Sequence, residues 1–169
     1  NVFLEDWGEE HQGKILQGGR GGSTLQMVTA GPSSTTPFIR NVYLRCISKA
    51  KDKIRIQTPY FIPDATVLNA LKLALISGKE VQIMIPCKPD HMFVYWATYS
   101  YVGELIEAGV RCYTYDNGFL HAKGVMSDGL VCSYGTANMD VRSYKLNFEV
   151  NATIYSPKTT EKKEKIFED

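Results

Sequence analysis

Apolar positions recur along the chain at two periods, one helical and one extended. In "PFIRNVYLRCISKA", Ile39, Val42, Cys46, Ile47 and Ala50 fall on one helical face. Thr36 is a cap candidate there, and Pro37 suits the first helical position. "KIRIQT" alternates like a strand. "PDATVLNALKLALISG" predicts a helix opened by Asp64, stopped by Gly78 and striped by Val67, Leu68, Leu71 and Leu75. "EVQIMIP" predicts a strand, "HMFVYWATYSYVGELIEAG" an aromatic-rich helix ending at Gly109, and "VRCYTY" a further strand. "STLQMVTAG" reads as a short strand ahead of them all.

Strands alternating with helices predict an α/β fold whose sheet is largely parallel, with helices on both faces. After Gly118 the pattern changes. "HAKGVM", "LVCSY" and "NFEVNATIY" are strands with no long helix between them, so the sheet is expected to be mixed. Ser156 and Pro157 open a last helix whose "EKKEK" run reads as a solvated face. Residues 1–30 read as a glycine-rich leading segment plus the first strand, and residues 31–169 as one domain. "GKILQGGRGG" in the leading segment lacks the phosphate-loop spacing, and one RGG is too little for RNA.

At 169 residues, with 44% hydrophobic and 22% charged positions, the chain can bury its own core. A formal net charge of +1 gives no global field toward nucleic acid. Cys46, Cys87, Cys112 and Cys132 are widely spaced with no C-x-x-C pair, which reads as reduced core cysteines and not as a zinc site. No apolar run reaches bilayer-spanning length. The chain opens on Asn1 with no visible signal peptide, and is read as an excerpt of a longer protein.

One stretch is too polar for a core. "HAKGVMSDGLVCSYGTANMD" runs from His121 to Asp140. In a strand, His121 and Lys123 point the same way. Thr136 and Asn138 are likewise two apart, behind Gly135, which permits a tight turn or a close approach. Imidazole is a nucleophile and proton shuttle near neutral pH. Lysine and asparagine donate to phosphate oxygens. The set predicts a metal-free phosphodiester site, because it contains one good metal ligand and a lysine that repels cations. A histidine nucleophile also needs its second ring nitrogen held. Glu149, in "NFEVN", is the candidate, with an ordinary ion pair as the alternative.

His121-x-Lys123-x4-Asp128-x6-Gly135-Thr136-x-Asn138 matches the H-x-K-x4-D-x6-G-[ST]-x-N motif, so the chain resembles the phospholipase D superfamily. "TPYFIPD", "CKPDH", "VYWATYSY", "EAGVRCYTY", "GFLHAK" and "LNFEVN" extend the likeness to the carboxy-terminal half of bacterial cardiolipin synthases, over residues 31–169. Thr136 stands where many members carry serine, and the hydroxyl is kept. The resemblance implies a phospholipase D-like fold and a phosphohistidine intermediate. It makes His121 the nucleophile or the general acid, Lys123 and Asn138 the phosphate ligands, and Thr136 a support of the same pocket. It makes Glu149 the group that orients His121. Asp128, at the far end of a short strand, reads as a structural contact. The implied reaction joins two phosphatidylglycerol molecules into cardiolipin and glycerol without a cofactor. It implies a bacterial membrane location for the full-length protein, with this segment itself soluble.

Neither His11 nor His91 is followed by lysine two residues on, so a single motif is present. The superfamily builds its site from two. The second half is expected from the same longer chain, or else from an identical copy. Tyr60 and Phe61, after a strand end, are candidates to line the pocket. His91 is a helix cap or a headgroup contact. Phe93, Val94, Tyr95, Trp96, Tyr99 and Tyr101 are too broad a stripe for one buried face, and part of it is expected to meet the missing half or lipid. Arg142 reads as structural. The alternative function is a single-motif homodimeric phosphodiesterase, nuclease or phospholipase D. The near-neutral charge argues against a nuclease. A non-catalytic module is a third reading, and the complete motif argues against it.

Overall fold

The computed structural model describes residues 22–88 and 90–168. The leading segment before Gly22, including His11 and "GKILQGGRGG", lies outside the described residues. Strand β1 (Thr24–Ala30) leads to helix α1 (Phe38–Lys49), then β2 (Lys53–Gln57) and the short β3 (Phe61–Ile62). Helix α2 (Ala65–Ile76), β4 (Glu80–Pro86), α3 (Met92–Glu107) and β5 (Arg111–Tyr115) follow. The second half contains β6 (Gly124–Ser127), β7 (Val131–Gly135), β8 (Met139–Asp140), α4 (Val141–Lys145), β9 (Glu149–Tyr155) and α5 (Pro157–Glu168). Seven strands form one sheet in the order β1-β9-β7-β6-β2-β4-β5, and β3 pairs with β8 beside it.

The expected parallel majority does not hold. In the seven-stranded sheet only β2–β4 and β4–β5 run parallel, and β1–β9, β9–β7, β7–β6 and β6–β2 are antiparallel; the separate β3–β8 pair is parallel. The cause is the length of the connections. A parallel neighbour needs a crossover helix, and α2 and α3 supply one each. Strands β6 and β7 are instead joined by a tight hairpin. Asp128 and Gly129 both take left-handed backbone, at φ 54 and 67, and Leu130 N–H closes the turn on the Ser127 carbonyl at 2.9 Å. Two consecutive left-handed residues of the Asp-Gly type give the turn whose twist matches a hairpin.

Helices do cover both faces. Val125 of β6 is buried in the main core with Ile39, Tyr43 and Ile47 of α1 and Leu71 of α2. Its neighbour Met126 points the other way, into a smaller core with Cys132 and Phe167 of α5. Helix α2 is capped by Asp64, which accepts from Val67 N–H at 3.0 Å. Helix α1 begins one residue later than expected, with Pro37 at the cap position and no side-chain cap from Thr36. Cys46 and Cys132 are buried, Cys87 and Cys112 half-buried, and all four are free thiols.

The last helix is less solvated than its charge run suggests. Arg55 of β2 is only 3% exposed. Its guanidinium pairs with Glu164 of α5 at 3.0 Å and with Glu168, while Nε donates to Gln82 Oε1 at 2.8 Å. A buried guanidinium requires such partners, and α5 supplies them.

Asp128 secures the hairpin. Its carboxylate accepts from the backbone N–H of Lys51, Asp52 and Lys53 at 2.7, 3.0 and 2.8 Å. Partial burial works to raise its pKa, but the N–H donors of Lys53, Lys51 and Asp52 outweigh it and hold the carboxyl below the usual range. A depressed folded pKa adds stability above the unfolded pKa and loses it as pH falls through the folded one. Asp128→Ala is expected to cost about 2 kcal/mol in urea unfolding at neutral pH. The gap between wild type and variant should close as pH drops below the ordinary aspartate range. Gly135→Ala is a second case. A Cβ there would stand 2.1 Å from the Val150 carbonyl oxygen, against backbone that cannot yield cheaply. Its expected cost is about 2 kcal/mol or more, read as a lower unfolding midpoint.

Candidate active site

The registers bring the motif to one end of the sheet. Gln57, the last residue of β2, sits opposite Gly124 and Met84. Gly135 ends β7 opposite Asn151, and Ala30 ends β1 opposite Glu149. The residues just beyond these pairs therefore share that end: Tyr60, Asp90, His121, Lys123, Thr136, Asn138 and Glu149.

His121 and Lys123 are not in a strand, contrary to the expectation from alternation. Strand β6 starts at Gly124, because β2 ends opposite it and offers no ladder partner beyond. His121 is exposed, whereas Lys123 is 8% exposed. The lysine reaches back, and its Nζ donates to the His121 carbonyl at 2.8 Å. The Lys123 carbonyl accepts Gly135 N–H at 3.2 Å, which ties the histidine segment to the Gly-Thr-Ala-Asn turn.

That turn is fixed from below by buried polar groups. Asn151 Oδ1 accepts Ala137 N–H at 3.2 Å, and its Nδ2 donates to the Tyr43 hydroxyl at 2.8 Å. The Tyr43 hydroxyl in turn donates to the Ala137 carbonyl at 3.0 Å. Burial foremost pushes the Tyr43 phenol far above its ordinary pKa, so it stays a neutral donor. Thr58 Oγ1 accepts Met139 N–H at 3.1 Å, and Ser143 Oγ accepts Asn138 N–H at 3.1 Å. Asn138 Oδ1 is one of three buried side-chain polar atoms without a hydrogen-bond partner among the described residues. This open end is an acceptor, so a donor such as a substrate hydroxyl, and not a phosphate oxygen, would complete it.

Glu149 is held by the Thr136 hydroxyl and by Asn147 Nδ2, the latter at 3.0 Å. It makes no hydrogen bond to His121, so the pair that would orient the imidazole is not formed in this structure. Thr136 Oγ1 also accepts Val150 N–H at 2.9 Å, which locks the threonine between turn and strand. Asp128 lies at the opposite end of β6, on the backbone of residues 51–53, away from the other motif members.

Of the three pocket candidates, Phe61 is fully buried in the core, with its N–H on Thr98 Oγ1 at 3.1 Å. It packs and does not line a pocket, because β3 turns it inward. Tyr60 is half-buried and donates to Asp90; burial first, then that bond, pushes its pKa up to about 12. His91 takes the cap position of α3 without a side-chain cap bond and is exposed. Arg142 is exposed on α4.

Two carboxylates at this end were not singled out from sequence. Burial lowers the Lys123 pKa, and Glu149, Asp140 and Asp90 oppose that by favouring the ammonium. Asp90 follows the C-terminal end of β4, a position where open α/β sheets place ligands, and that was its available signal. Asp140 caps α4 by accepting Ser143 N–H at 2.6 Å. A cavity of about 830 Å³ opens beside His121, lined also by Phe119, Tyr134, Met84 and Phe167. Thr136, Phe148 and Glu149 border a second, of about 360 Å³. No three metal-binding side chains cluster among the described residues.

The arrangement offers an accessible imidazole beside a buried ammonium, with a carboxamide and a hydroxyl nearby, which suits attack on a phosphodiester. The solved structure of Nuc, a phospholipase D family member from Salmonella typhimurium, shares the fold. Its TM-score is 0.71 at 23% identity, over 87% of this chain and 93% of that one. The major cardiolipin synthase ClsA of Bacillus subtilis is 52% identical over 162 residues, which is 90% of this chain and 34% of that protein. A cardiolipin synthase of Listeria welshimeri is 53% identical over 149 residues, 88% of this chain and 31% of that protein. The chain thus spans about a third of the length of these curated relatives. The family model described as cardiolipin synthase, PLD-like domain, matches residues 43–169, and the chain belongs to that family.

Proposed function

We propose that this chain is one catalytic half of a phosphatidyltransferase that makes cardiolipin from two phosphatidylglycerol molecules at a bacterial membrane. The observation that carries this reading is the convergence of His121, Lys123, Thr136, Asn138 and Glu149 at one sheet end, in a chain half identical to cardiolipin synthases. In the reaction, one motif histidine attacks phosphorus and breaks the bond to the glycerol headgroup. Glycerol leaves with a proton from the histidine of the second half. The free hydroxyl of another phosphatidylglycerol then attacks the phosphohistidine, gives its proton to that same second histidine, and releases cardiolipin. One phosphodiester is exchanged for another, so no nucleotide is consumed.

Lys123 and the Asn138 amide serve the non-bridging oxygens, and Thr136 holds Glu149 in place. Glu149 orients His121 when substrate closes the gap between them, since catalytic hydrogen bonds tighten in the complex. Charge at the motif itself supports a second half. Lys123 is the one motif cation of this half and has Glu149, Asp140 and Asp90 near it. A second copy of the motif supplies the missing cations. The relatives at half identity are cardiolipin synthases, which disfavours the single-motif phosphodiesterase or nuclease.

His121→Ala in the full-length protein is expected to lower cardiolipin formation from labelled phosphatidylglycerol by about 1,000-fold or more. Its unfolding midpoint should stay at the wild-type value, because the side chain is exposed. A variant that forms cardiolipin at the wild-type rate would sink the assignment.

A further inference from the structure

Every exposed phenylalanine and tryptophan side chain among the described residues lies at the motif end of the sheet. Phe38 opens α1 after β1, whose last residue sits opposite Glu149. Phe93 and Trp96, 93% and 64% exposed, stand in the first turns of α3, just past the end of β4. Phe119 precedes His121 by two residues, and Phe148, 72% exposed, directly precedes Glu149. Phe61 and Phe167 are buried. In the strand order, β9 and β4 lie on opposite sides of β6 and β7, so Phe148 and the Phe93–Trp96 pair straddle the motif.

Charge is distributed to match. Lys88, Arg142 and Lys145 are exposed at this end. Of the carboxylates there, Asp64 is paired with Arg40, Asp140 is buried and Glu149 half-buried, while Asp90 is exposed beside Tyr60. Asp116, in the β5–β6 connection, is open to solvent. Helix α3 has no charged residue from Met92 to Gly103, and its acids, Glu104 and Glu107, sit at the far end. The opposite end of the sheet is where Lys51, Asp52, Lys53, Lys79, Glu80 and Asp128 gather. Aromatic side chains interspersed with lysine and arginine settle at the headgroup level of an anionic bilayer. An acidic surface is repelled from it.

We infer that the motif end is the face this protein lays on an anionic phospholipid bilayer. Phe93, Trp96 and Phe148 enter the interface on either side of the site, and Lys88, Arg142 and Lys145 meet the headgroups. The inference rests on the phosphatidyltransferase reading, and it adds how a two-tailed substrate reaches His121 without leaving the membrane. Among the described residues no helix is long and apolar enough to cross a bilayer, so contact by this segment is with the surface.

The test places a polarity-sensitive fluorophore on cysteine at position 93, 148 or, as the far-end control, 130 of the full-length protein: Phe93→Cys, Phe148→Cys and Leu130→Cys. Wild type carried through the same labelling sets the background from its own thiols. Vesicles of phosphatidylglycerol with brominated acyl chains are expected to quench the labels at 93 and 148 and to spare 130, and phosphatidylcholine vesicles to quench them less. No lipid quenching at 93 and 148, or equal quenching at 130, overturns the inference. A label at 93 shielded from solvent but untouched by bromine also overturns it, and assigns the aromatic end to the second half. A paired assay uses Phe93→Asp with Trp96→Asp. Transfer on vesicles should fall by about tenfold while the rate on monodisperse short-chain phosphatidylglycerol stays near wild type. An equal loss on both substrates means that the rim serves folding or pairing, which again overturns the inference. Quenching is read without turnover, so a failure of the catalytic assignment leaves it interpretable.

Discussion

The buried carboxamide of Asn151 fixes the position of the Gly-Thr-Ala-Asn turn. It holds the Ala137 N–H with one end and the Tyr43 hydroxyl with the other, and Tyr43 returns a bond to the Ala137 carbonyl. Three segments distant in sequence meet in that triangle: α1, the turn and β9. All three groups are buried, so each bond left unmade would cost a desolvation penalty with no water to offset it. The closure also explains Gly135. Strand β7 can approach β9 closely enough for the Ala137–Asn151 bond only where no Cβ intervenes. A motif glycine followed by hydroxyl and amide residues is thus a packing device first, and it delivers Thr136 and Asn138 to the site as a consequence.

The motif divides its labour between the two ends of β6. Lys123 and His121 precede the strand at the site end, while Asp128 ends it on the backbone of residues 51–53. The aspartate accepts three N–H groups and carries a left-handed φ that few residues other than asparagine, aspartate and glycine tolerate. It therefore sets the hairpin, the hairpin sets the register of β6 on β2, and the register sets where Lys123 emerges. Distance from the chemistry is no reason for the motif to omit it.

Much of this was legible in the sequence, and the limits have physical causes. Helices α1, α2 and α3 announce themselves by apolar spacing, and the site residues by types that a core has no use for. Strand direction is not carried by alternation, since a parallel and an antiparallel strand bury the same positions. The clue to direction lay in "SDGL", whose Asp-Gly pair specifies a hairpin. Arg55 and Glu164 illustrate a second limit. Each looks solvated in its own segment, and only the crossing of α5 over β2 joins a buried guanidinium to a half-buried carboxylate. Phe61 misleads in the same way, because a short strand after a β2 end can face either the ligand or the core.

Lys123 shows why a half-site can be stable and yet incomplete. Burial works to lower the pKa of its ammonium, and the carboxylates of Glu149, Asp140 and Asp90 favour the charged form. Those same carboxylates stand close enough to Lys123 to compete with a phosphodiester for its charge. The resting half thus holds its lysine desolvated, with its ammonium on the His121 carbonyl. A phosphate can displace the carboxylates from that role only if further cations arrive with it. In the proposed enzyme, two such halves facing each other would bring two lysines and two imidazoles to one phosphorus, and Glu149 would turn from Thr136 and Asn147 to the histidine. Completing the site is in this sense a redistribution of charges already present in each half.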